Sequence, residues 1–409
     1  GSISTSKSIP LPKRLDKIHS ELLHLLEAEK PDVMVVEDVF SLEKYPKSGI
    51  TLGKVAGVIL LAGCRFDIPV AEIPVREAKR ILTGNGNAGK GQLEKAVRQY
   101  DPERNEKKMS QNLTEKIAQR YAVGLADGHV VTSGDYLSIQ PAHVLTHDNT
   151  GAVIAKFRSI GANKMANPRQ PMFALDHNVQ DEGEANLKKY AAIKQFAKDM
   201  GVDFYPAGRG IGHQIMVEEG YAFPGTLAVA SDSHSNMYGG LGCLGTPIVR
   251  TDAAAIWATG RTWWKIPPVV KVEFTGTLKQ GVSGKDVIIH LCGVYNHDEV
   301  LNHAIEFTGD GVGKLTIDDR LAIANMTTEW GALVGWFPVD AVTTGYLRER
   351  AALLGARGGF DRFSEQEMAD WESDPPAPDR DAVYAGRMEL QLESVVPHVS
   401  GPDTVQVMH

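Results

Sequence analysis

The chain has 409 residues, 43% hydrophobic and 23% charged, a composition typical of a globular protein with two or three domains. Its formal net charge is −8, to which residues 1–100 contribute about +3 and the remainder about −11. This charge asymmetry is a weak indication of different partners for the two parts. No stretch approaches the roughly 20 apolar residues of a membrane-spanning helix, and three cysteines are too few for a disulfide framework. We therefore expect no membrane contact and a reducing compartment.

The first hundred residues alternate between helical and extended patterns. Their apolar spacing predicts, in chain order, a helix at 14–29, a strand at 33–36, a helix at 52–61, a strand at 70–73 and short helices at 76–82 and 92–99. This order predicts an α/β segment in which helices pack against a sheet.

Glu37 stands at the end of the first predicted strand. A carboxylate there is suited to holding a metal ion for phosphodiester cleavage, because two-metal sites gather acids from several elements. Basic side chains further along, among them Lys79 and Lys90, are candidates for phosphate contacts. A solvated helix face is the alternative interpretation, and composition alone favours it.

A polar stretch at 101–110 divides the chain and predicts a linker after residues 1–100. Residues 111–346 are rich in glycine and in short apolar runs that end in polar clusters. Residues 347–382 are charged and partly proline-rich, so we expect a linker or a surface excursion there. A strand-like pattern resumes over 383–409.

The apolar run at 226–230 delivers Asp232, Ser233 and His234 at its end. Ligand sites of open α/β sheets lie at the carboxyl ends of the strands. The acid can orient the imidazole, and the hydroxyl can bind a carboxylate. A turn with an incidental histidine is an equally good interpretation of the spacing alone.

A second carboxylate–imidazole pair, Asp176 and His177, follows the apolar run at 172–175, and His213 lies in a glycine-rich loop. Dehydration of a hydroxy acid needs one group to remove a carbon-bound proton and another to protonate the departing hydroxyl, and an Asp–His pair suits the second task. Each of these histidines could instead be a structural residue with no catalytic role. That interpretation is weaker for all of them because three occur in one segment.

Two other patterns resemble cofactor sites. Glycines at 240, 242 and 245 fit the G-x-G-x-x-G spacing, but Pro247 follows at once and no strand leads directly into them, so we expect no dinucleotide site. Cys64, Cys243 and Cys292 equal in number the thiolates of a [4Fe–4S] cluster with one open iron, but they are scattered and form no C-x-x-C motif. We expect none of them to bind a cluster and Cys292 to be a core residue.

Residues 111–409 resemble the aconitase superfamily, and within it the homoaconitases. The matching stretches are LTEKIAQR at 113–120, ALDH at 174–177, FYPAGRGIGHQ at 204–214, ASDSHSNMYG at 230–239, ANMTTEW at 324–330 and VSGP at 399–402. The resemblance implies aconitase-like α/β/α domains over 111–346 and the truncated start of the next segment over 383–409.

The same resemblance implies roles for individual residues. The family's acid–base residues correspond to Asp176, His177, His213, Asp232, His234 and Glu329. Ser233 and Asn325 correspond to substrate-binding residues, and His147 stands where the wider family has a glutamine.

The activity that the resemblance implies is hydration of cis-homoaconitate to homoisocitrate in lysine biosynthesis, with a [4Fe–4S] cluster as cofactor. The implied partner is a small tricarboxylic acid: homocitrate, cis-homoaconitate or homoisocitrate. The cluster cysteines of the family lie beyond the matched segment, so we assign no metal ligand here and expect no activity from this chain alone. The implied location is the mitochondrial matrix, although no targeting segment is visible; the cytoplasm is the alternative.

Residues 3–99 resemble a different family, the RuvC-type Holliday-junction resolvases with an RNase H-like fold. The matching stretches are PLPKRL at 10–15, PDVMVVEDVF at 31–40, LGKVAG at 52–57, REAK at 76–79 and GNGNAGK at 84–90. The resemblance places a catalytic carboxylate at Glu37 and DNA-contacting lysines at Lys79 and Lys90, and implies Mg²⁺ as cofactor. One carboxylate cannot hold two Mg²⁺ ions, so we expect weak junction binding without cleavage.

Three hypotheses remain open from the sequence. The chain is a segment of an aconitase-class hydro-lyase, a fragment of a junction nuclease, or an inactive chimera of two truncated domains. Motif density and length favour the first.

Overall fold

The computed structural model describes residues 3, 5–6, 9–31, 34–38, 46–66, 68–74, 110–126, 128–358, 361–402, 404 and 407–409. The chain divides into two compact units, Gly1–Lys108 and Met109–His409. None of the helices in the described ranges combines the length and the hydrophobicity needed to cross a bilayer.

The first unit contains helix α1 (Leu11–Glu29), strand β1 (Met34–Asp38), helix α2 (Pro46–Arg65) and strand β2 (Val70–Pro74). The strands pair in parallel, with Met34 opposite Val70. Gly63 lets α2 approach both strands, because a Cβ there would lie 2.5 Å from Met34 Cε and 2.6 Å from Val70 Cγ2. The two longer helices and both strands predicted for this segment are confirmed.

Four of the sequence predictions for this unit lie outside the described residues. Lys79, Lys90 and the helices predicted at 76–82 and 92–99 fall in the undescribed range 75–109. The backbone of Glu37 lies in β1, as predicted.

The second unit is built from many short elements. Its helices are α3 (Leu113–Tyr121), α4 (Thr150–Ser159), α5 (Glu184–Met200), α6 (Gly212–Glu218), α7 (Arg250–Thr259), α8 (Gly284–Val294), α9 (Ile317–Met326), α10 (Ala341–Ala356) and α11 (Glu365–Ser373). Its strands are β3 (Ala122–Val123), β4 (Tyr136–Ile139), β5 (His143–Thr146), β6 (Pro171–Ala174), β7 (Asp203–Tyr205), β8 (Leu227–Ala230), β9 (Leu244–Pro247), β10 (Thr262–Lys265), β11 (Val269–Thr275), β12 (Ala304–Thr308), β13 (Val334–Trp336) and β14 (Gly386–Gln391).

A five-stranded parallel sheet organises the first half of this unit, with strand order β7-β6-β5-β8-β9. Every residue of β6 and β8 is buried, as expected for strands covered on both faces. The first core forms around this sheet and includes Phe157, Phe173 and Trp257. The Trp257 ring centroid lies 5.9 Å from that of Phe157 and 4.9 Å from that of Phe173.

A four-stranded parallel sheet follows, with order β13-β12-β11-β14. The second core packs between this sheet and helices α8 and α9, and includes Phe274, Phe307 and Phe337. A small antiparallel sheet of order β10-β4-β3 joins distant parts of the unit.

The glycine run after β8 has a packing role. Ser235–Leu241 forms a 3-10 helix that lies against α9 and β13. A Cβ on Gly239 would lie 1.6 Å from the carbonyl oxygen of Gly335, and one on Gly240 would lie 2.9 Å from Leu321 N. Close approach of backbone to backbone therefore explains these glycines.

The charged stretch at 347–382 includes the end of α10 and all of α11. Met368 and Trp371 on α11 are buried in the first core, and the Trp371 ring lies 5.4 Å from Phe363 and 5.8 Å from Phe223. Beyond it, β14 pairs along β11 as an edge strand of the second sheet.

Candidate active site

Three neighbouring strands of the first sheet, β5, β6 and β8, end in polar side chains. Parallel strands bring their carboxyl ends to one edge of a sheet, where α/β proteins place their ligand sites. The side chains at this edge are His147, Asp148 and Asn149 after β5, Asp176 and His177 after β6, and Asp232, Ser233 and His234 after β8.

His213 and Asp232 form the most buried acid–base pair. His213 enters the site from the first turn of α6, and its Nε2 donates to Asp232 Oδ1 over 2.7 Å. In the neutral ring Nδ1 then accepts from the buried Tyr238 hydroxyl at 2.9 Å, which fixes the tautomer. Burial opposes ionisation of Asp232, but hydrogen bonds from His213 and His234 outweigh it and hold the pKa of Asp232 well below its ordinary value.

Asp176 and His177 form a second pair at the mouth of the site. His177 Nδ1 donates to Asp176 Oδ1 over 2.5 Å, and the backbone N–H of Gly212 donates to Asp176 Oδ2 over 2.6 Å. Asp176 is nearly buried, whereas the His177 side chain is 53% exposed. The carboxylate therefore holds one ring nitrogen and leaves Nε2 open to the site.

Asp148 anchors the loop that carries this pair. Its Oδ2 accepts from the backbone N–H groups of Asp176 and His177, each at 2.9 Å. Its Oδ1 accepts from the N–H of Asn178 at 3.2 Å and from the Tyr190 hydroxyl. Burial alone would raise the pKa of Asp148, but these four donors lower it to about 2.

His147 stacks on His177, with ring centroids 4.1 Å apart and an interplanar angle of 23°. Asn149 Nδ2 donates to His147 Nε2 at 2.8 Å and to the carbonyl of Ser231 at 2.6 Å, so it ties the end of β5 to the end of β8. Burial and the neighbouring His177 ring lower the pKa of His147, which favours its neutral form.

His234 links the first sheet to the segment after α9. Its Nε2 lies 3.2 Å from Glu329 Oε1, and the Thr328 hydroxyl donates to the carbonyl of Ser233. Hydrogen bonding to Asp232 raises the pKa of His234 against the effect of burial, and the charge of Glu329 adds to the rise. The two halves of the unit therefore meet at this histidine.

Most residues singled out in 111–409 lie in this one network: His147, Asp176, His177, His213, Asp232, Ser233, His234 and Glu329. Asn325 lies half-buried in the last turn of α9, and within the described residues it has no hydrogen bond to the others. Glu37 belongs to the first unit, while Lys79 and Lys90 lie outside the described residues.

Sequence reasoning missed Asp148, Asn149, Tyr190 and Tyr238. Asp148 and Asn149 carry the same signal as the predicted clusters, because they follow a strand end. The β5 run contains His143 and Thr146 and is therefore a weak strand pattern. Tyr190 and Tyr238 reach their partners across 42 and 25 residues of chain, a relation that no local pattern reveals.

Residues 115–409 match the family model described as "Aconitase family (aconitate hydratase)". The chain belongs to the aconitase family. Two curated relatives are named mitochondrial homoaconitase: one from Aspergillus fumigatus, 57% identical over 302 residues, and one from Neurospora crassa, 58% identical over 303 residues. Each match covers 73% of this chain and 39% of the relative, so the chain spans about two fifths of their length.

Residues 1–112 match a second family model, described as crossover junction endodeoxyribonuclease RuvC. A solved structure of Thermus thermophilus RuvC is similar with 26% identity and a TM-score of 0.20, covering 24% of this chain and 55% of that chain. Both family resemblances seen in the sequence are thus confirmed by family models.

Aconitase-family proteins typically bind a [4Fe–4S] cluster, but the cysteines of this chain do not fit one. Cys64 lies on α2 in the first unit, while Cys243 and Cys292 lie in the first and second cores with no exposed surface. Burial raises the pKa of both core thiols to about 12, whereas a cluster ligand must be a thiolate. The prediction that Cys292 is a core residue is confirmed.

Proposed function

We propose that residues 115–409 form the acid–base part of a homoaconitase-type hydro-lyase, which hydrates cis-homoaconitate to homoisocitrate in lysine biosynthesis. One observation carries the proposal: the Asp176–His177 and His213–Asp232 pairs converge at one sheet edge, 2.5 Å and 2.7 Å within each pair. The segment that contains them is 57–58% identical to two proteins named homoaconitase. The tricarboxylic acids homocitrate, cis-homoaconitate and homoisocitrate are the substrates we propose.

The Asp176–His177 pair has the geometry for proton transfer at oxygen. In hydration, His177 Nε2 accepts a proton from the incoming water, and in dehydration it returns that proton to the departing hydroxyl. Asp176 keeps the ring in position and stabilises its cationic form, because the 2.5 Å hydrogen bond joins it to the opposite ring nitrogen.

Four further residues have roles in holding the substrate. The exposed hydroxyl of Ser233 lies 3.1 Å from His234 Nδ1, and both project from the end of β8. We assign Ser233, Asn325 and His147 as residues that bind the carboxylates of the substrate. His234 is suited to an anion as well, since its raised pKa favours the charged ring.

The 409-residue chain alone is expected to have no hydro-lyase activity, because its cysteines do not fit the cluster. The measurement is turnover of cis-homoaconitate after anaerobic iron–sulfur reconstitution. Turnover of cis-homoaconitate together with the visible absorption of an iron–sulfur cluster would contradict this expectation.

A segment exchange tests the function itself. In one of the fungal homoaconitases, the matched segment is replaced by residues 115–409 of this chain. We expect hydration of cis-homoaconitate within about tenfold of the parent, because the exchanged residues keep the acid–base geometry. Iron content and the cluster's electron paramagnetic resonance signal serve as the control. A hybrid that contains the cluster but does not hydrate cis-homoaconitate would contradict the proposed function.

The mitochondrial matrix is the location we propose, because both relatives are named mitochondrial.

Junction binding by the first unit is a second candidate function, supported by the match of residues 1–112 to the resolvase family. We expect a weak mobility shift of a four-way DNA junction, stronger than that of a duplex of equal length, and no cleavage with Mg²⁺. Equal shifts for junction and duplex, or no shift at all, would remove this candidate.

A further inference from the structure

Helix α6, which carries His213 into the candidate active site, is short. It spans seven residues, Gly212–Glu218. An isolated helix of fewer than about 12 residues is unstable in water, so contacts from other parts of the fold must fix its position. At its first turn, the backbone N–H of Gly212 donates to Asp176 over 2.6 Å and the His213 ring donates to Asp232 over 2.7 Å. These contacts hold only one end of α6.

Two arginines from the charged stretch at 347–382 contact the opposite end of α6. Arg350, on α10, donates to the carbonyl oxygen of Glu218 from Nε over 3.1 Å and from Nη2 over 2.8 Å. Arg362 Nε donates to the carbonyl oxygen of Glu219 over 2.9 Å. The contacts join residues 132 and 143 positions apart, so the charged stretch folds back onto the helix that carries His213.

The chemistry of these contacts favours a fixed helix. The last carbonyl groups of an α-helix have no partner within the helix and carry the negative end of its dipole. A guanidinium group matches them in both respects, because it supplies several N–H donors and a positive charge. The Arg362 side chain is only 17% exposed and Arg350 is half-buried, so salt screens these contacts less than it would at the surface.

Further contacts hold the arginines and the end of the helix in register. The Arg362 guanidinium lies over the Tyr221 ring, 3.6 Å from its centroid. The Glu219 carboxylate pairs with Arg209, in the loop before α6, and lies 3.6 Å from Arg357 Nη1. The end of α6 therefore lies in a connected set of charged and aromatic contacts, none of which touches the acid–base groups themselves.

We propose that Arg350 and Arg362 are positioning residues of the candidate active site, because they fix the place of α6 and with it the His213 ring. The proposal deepens the proposed function and rests on it. A catalytic group that is misplaced by about 1 Å can lose about a hundredfold in rate. Movement of α6 along its axis would lengthen the 2.7 Å hydrogen bond from His213 to Asp232, so loss of an arginine at the far end of the helix should reach the site.

The first test observes the His213 Nε2–H proton in the 409-residue chain and needs no activity. NMR of the protein with isotope-labelled histidine gives the chemical shift of this proton and its rate of exchange with solvent, and His213→Gln identifies the signal. Arg350→Met removes both donors to Glu218 but keeps an unbranched side chain. We expect this variant to shift the signal and to speed the exchange about tenfold, because α6 then leaves its position more often.

The second test is the hydration rate of the segment-exchange hybrid. Arg350→Met should lower kcat about tenfold and change KM less than about twofold, because it displaces an acid–base group without touching the substrate. Arg350→Lys keeps the charge and one donor, so kcat should fall and the proton exchange should speed up by only about threefold. If the methionine variant does not fold, the lysine variant carries both tests.

Arg348→Met is the matched control. Arg348 lies on the same helix as Arg350, but its hydrogen bonds within the described ranges go to Glu365 and Glu372 and not to α6. The His213 signal and kcat should be unchanged in this variant.

The proposal is overturned if the Arg350 variants leave the His213 signal as it is in the wild type, even where they lower stability, or if they change it no more than Arg348→Met does. A changed signal in the chain, together with an unmodified hybrid that does not hydrate cis-homoaconitate, would support the positioning role and contradict the proposed function. The two failures are therefore distinguishable.

Discussion

Replacing Asp148 with asparagine removes the anchor of the loop at 176–178. The amide can keep one oxygen for the N–H groups of Asp176 and His177, which lie 2.9 Å from Oδ2. Its NH₂ group then faces the N–H of Asn178, which lies 3.2 Å from Oδ1 in the native site. The Tyr190 hydroxyl can rotate and accept a hydrogen bond from this NH₂ group, but the backbone N–H of Asn178 can only donate.

The magnitude follows from these contacts. The N–H of Asn178 lies in a partly buried contact, and leaving it against another donor costs about 1–3 kcal/mol. The backbone N–H groups of Asp176 and His177 then donate to a neutral amide oxygen instead of a carboxylate, and each hydrogen bond weakens by about 1 kcal/mol. Asp148→Asn is therefore expected to lower the free energy of unfolding by about 3–5 kcal/mol.

Tryptophan fluorescence during urea denaturation is the assay, because all six tryptophans lie at positions 257–371 and report on the second unit alone. Asp199→Asn is the control: this exposed acid accepts from Gln195 within α5 and should change stability by less than about 0.5 kcal/mol. A loss below about 1 kcal/mol for Asp148→Asn would refute the assigned anchoring role.

Two further predictions concern stability, measured by the same fluorescence. Burial lowers the pKa of His143 to about 4, so the folded state favours its neutral ring. The contribution of His143 to stability is then complete above pH 6.5 and is lost, by about 3 kcal/mol in total, as the pH drops to about 4. His143→Gln should reduce the loss of stability over this pH range by about that amount, and an unchanged loss would contradict the assignment. Gly239→Ala should cost about 3 kcal/mol or more, because its Cβ would meet the carbonyl of Gly335. Gly345→Ala, which meets nothing within 4 Å on α10, should be neutral or stabilising, and equal effects of the two would contradict the packing argument.

The sequence predicted the elements whose patterns are strong. The helix predicted at 14–29 is confirmed and begins at Leu11, because Pro12 fits the first turn of a helix. It ends where Lys30 adopts a left-handed conformation with φ 43° just before Pro31. Apolar runs that end in acid–imidazole pairs located β6 and β8 together with their site residues.

Other parts of the site depend on contacts that sequence spacing does not contain. The link from His234 to Glu329 spans 95 residues and exists only because α9 packs on the glycine-rich 3-10 helix. Tyr190 reaches Asp148 from the adjacent helix α5, and its type alone gives no sign of this contact. The resemblance to a family indicated residue roles, but the tautomers of His147 and His177 could be read only from their hydrogen bonds.

The most direct test of the central claim is the hydration rate of the segment-exchange hybrid with Asp232→Asn, compared with the hybrid carrying His290→Gln. Loss of the carboxylate that bonds His213 should lower kcat about a hundredfold or more, while cluster iron stays constant. His290→Gln should remain within about twofold of the unmodified hybrid, because His290 lies on α8, pairs with His398 and has no hydrogen bond to the acid–base network among the described residues. Equal rates in the two variants would contradict the assignment of this sheet edge as the acid–base site of a hydro-lyase.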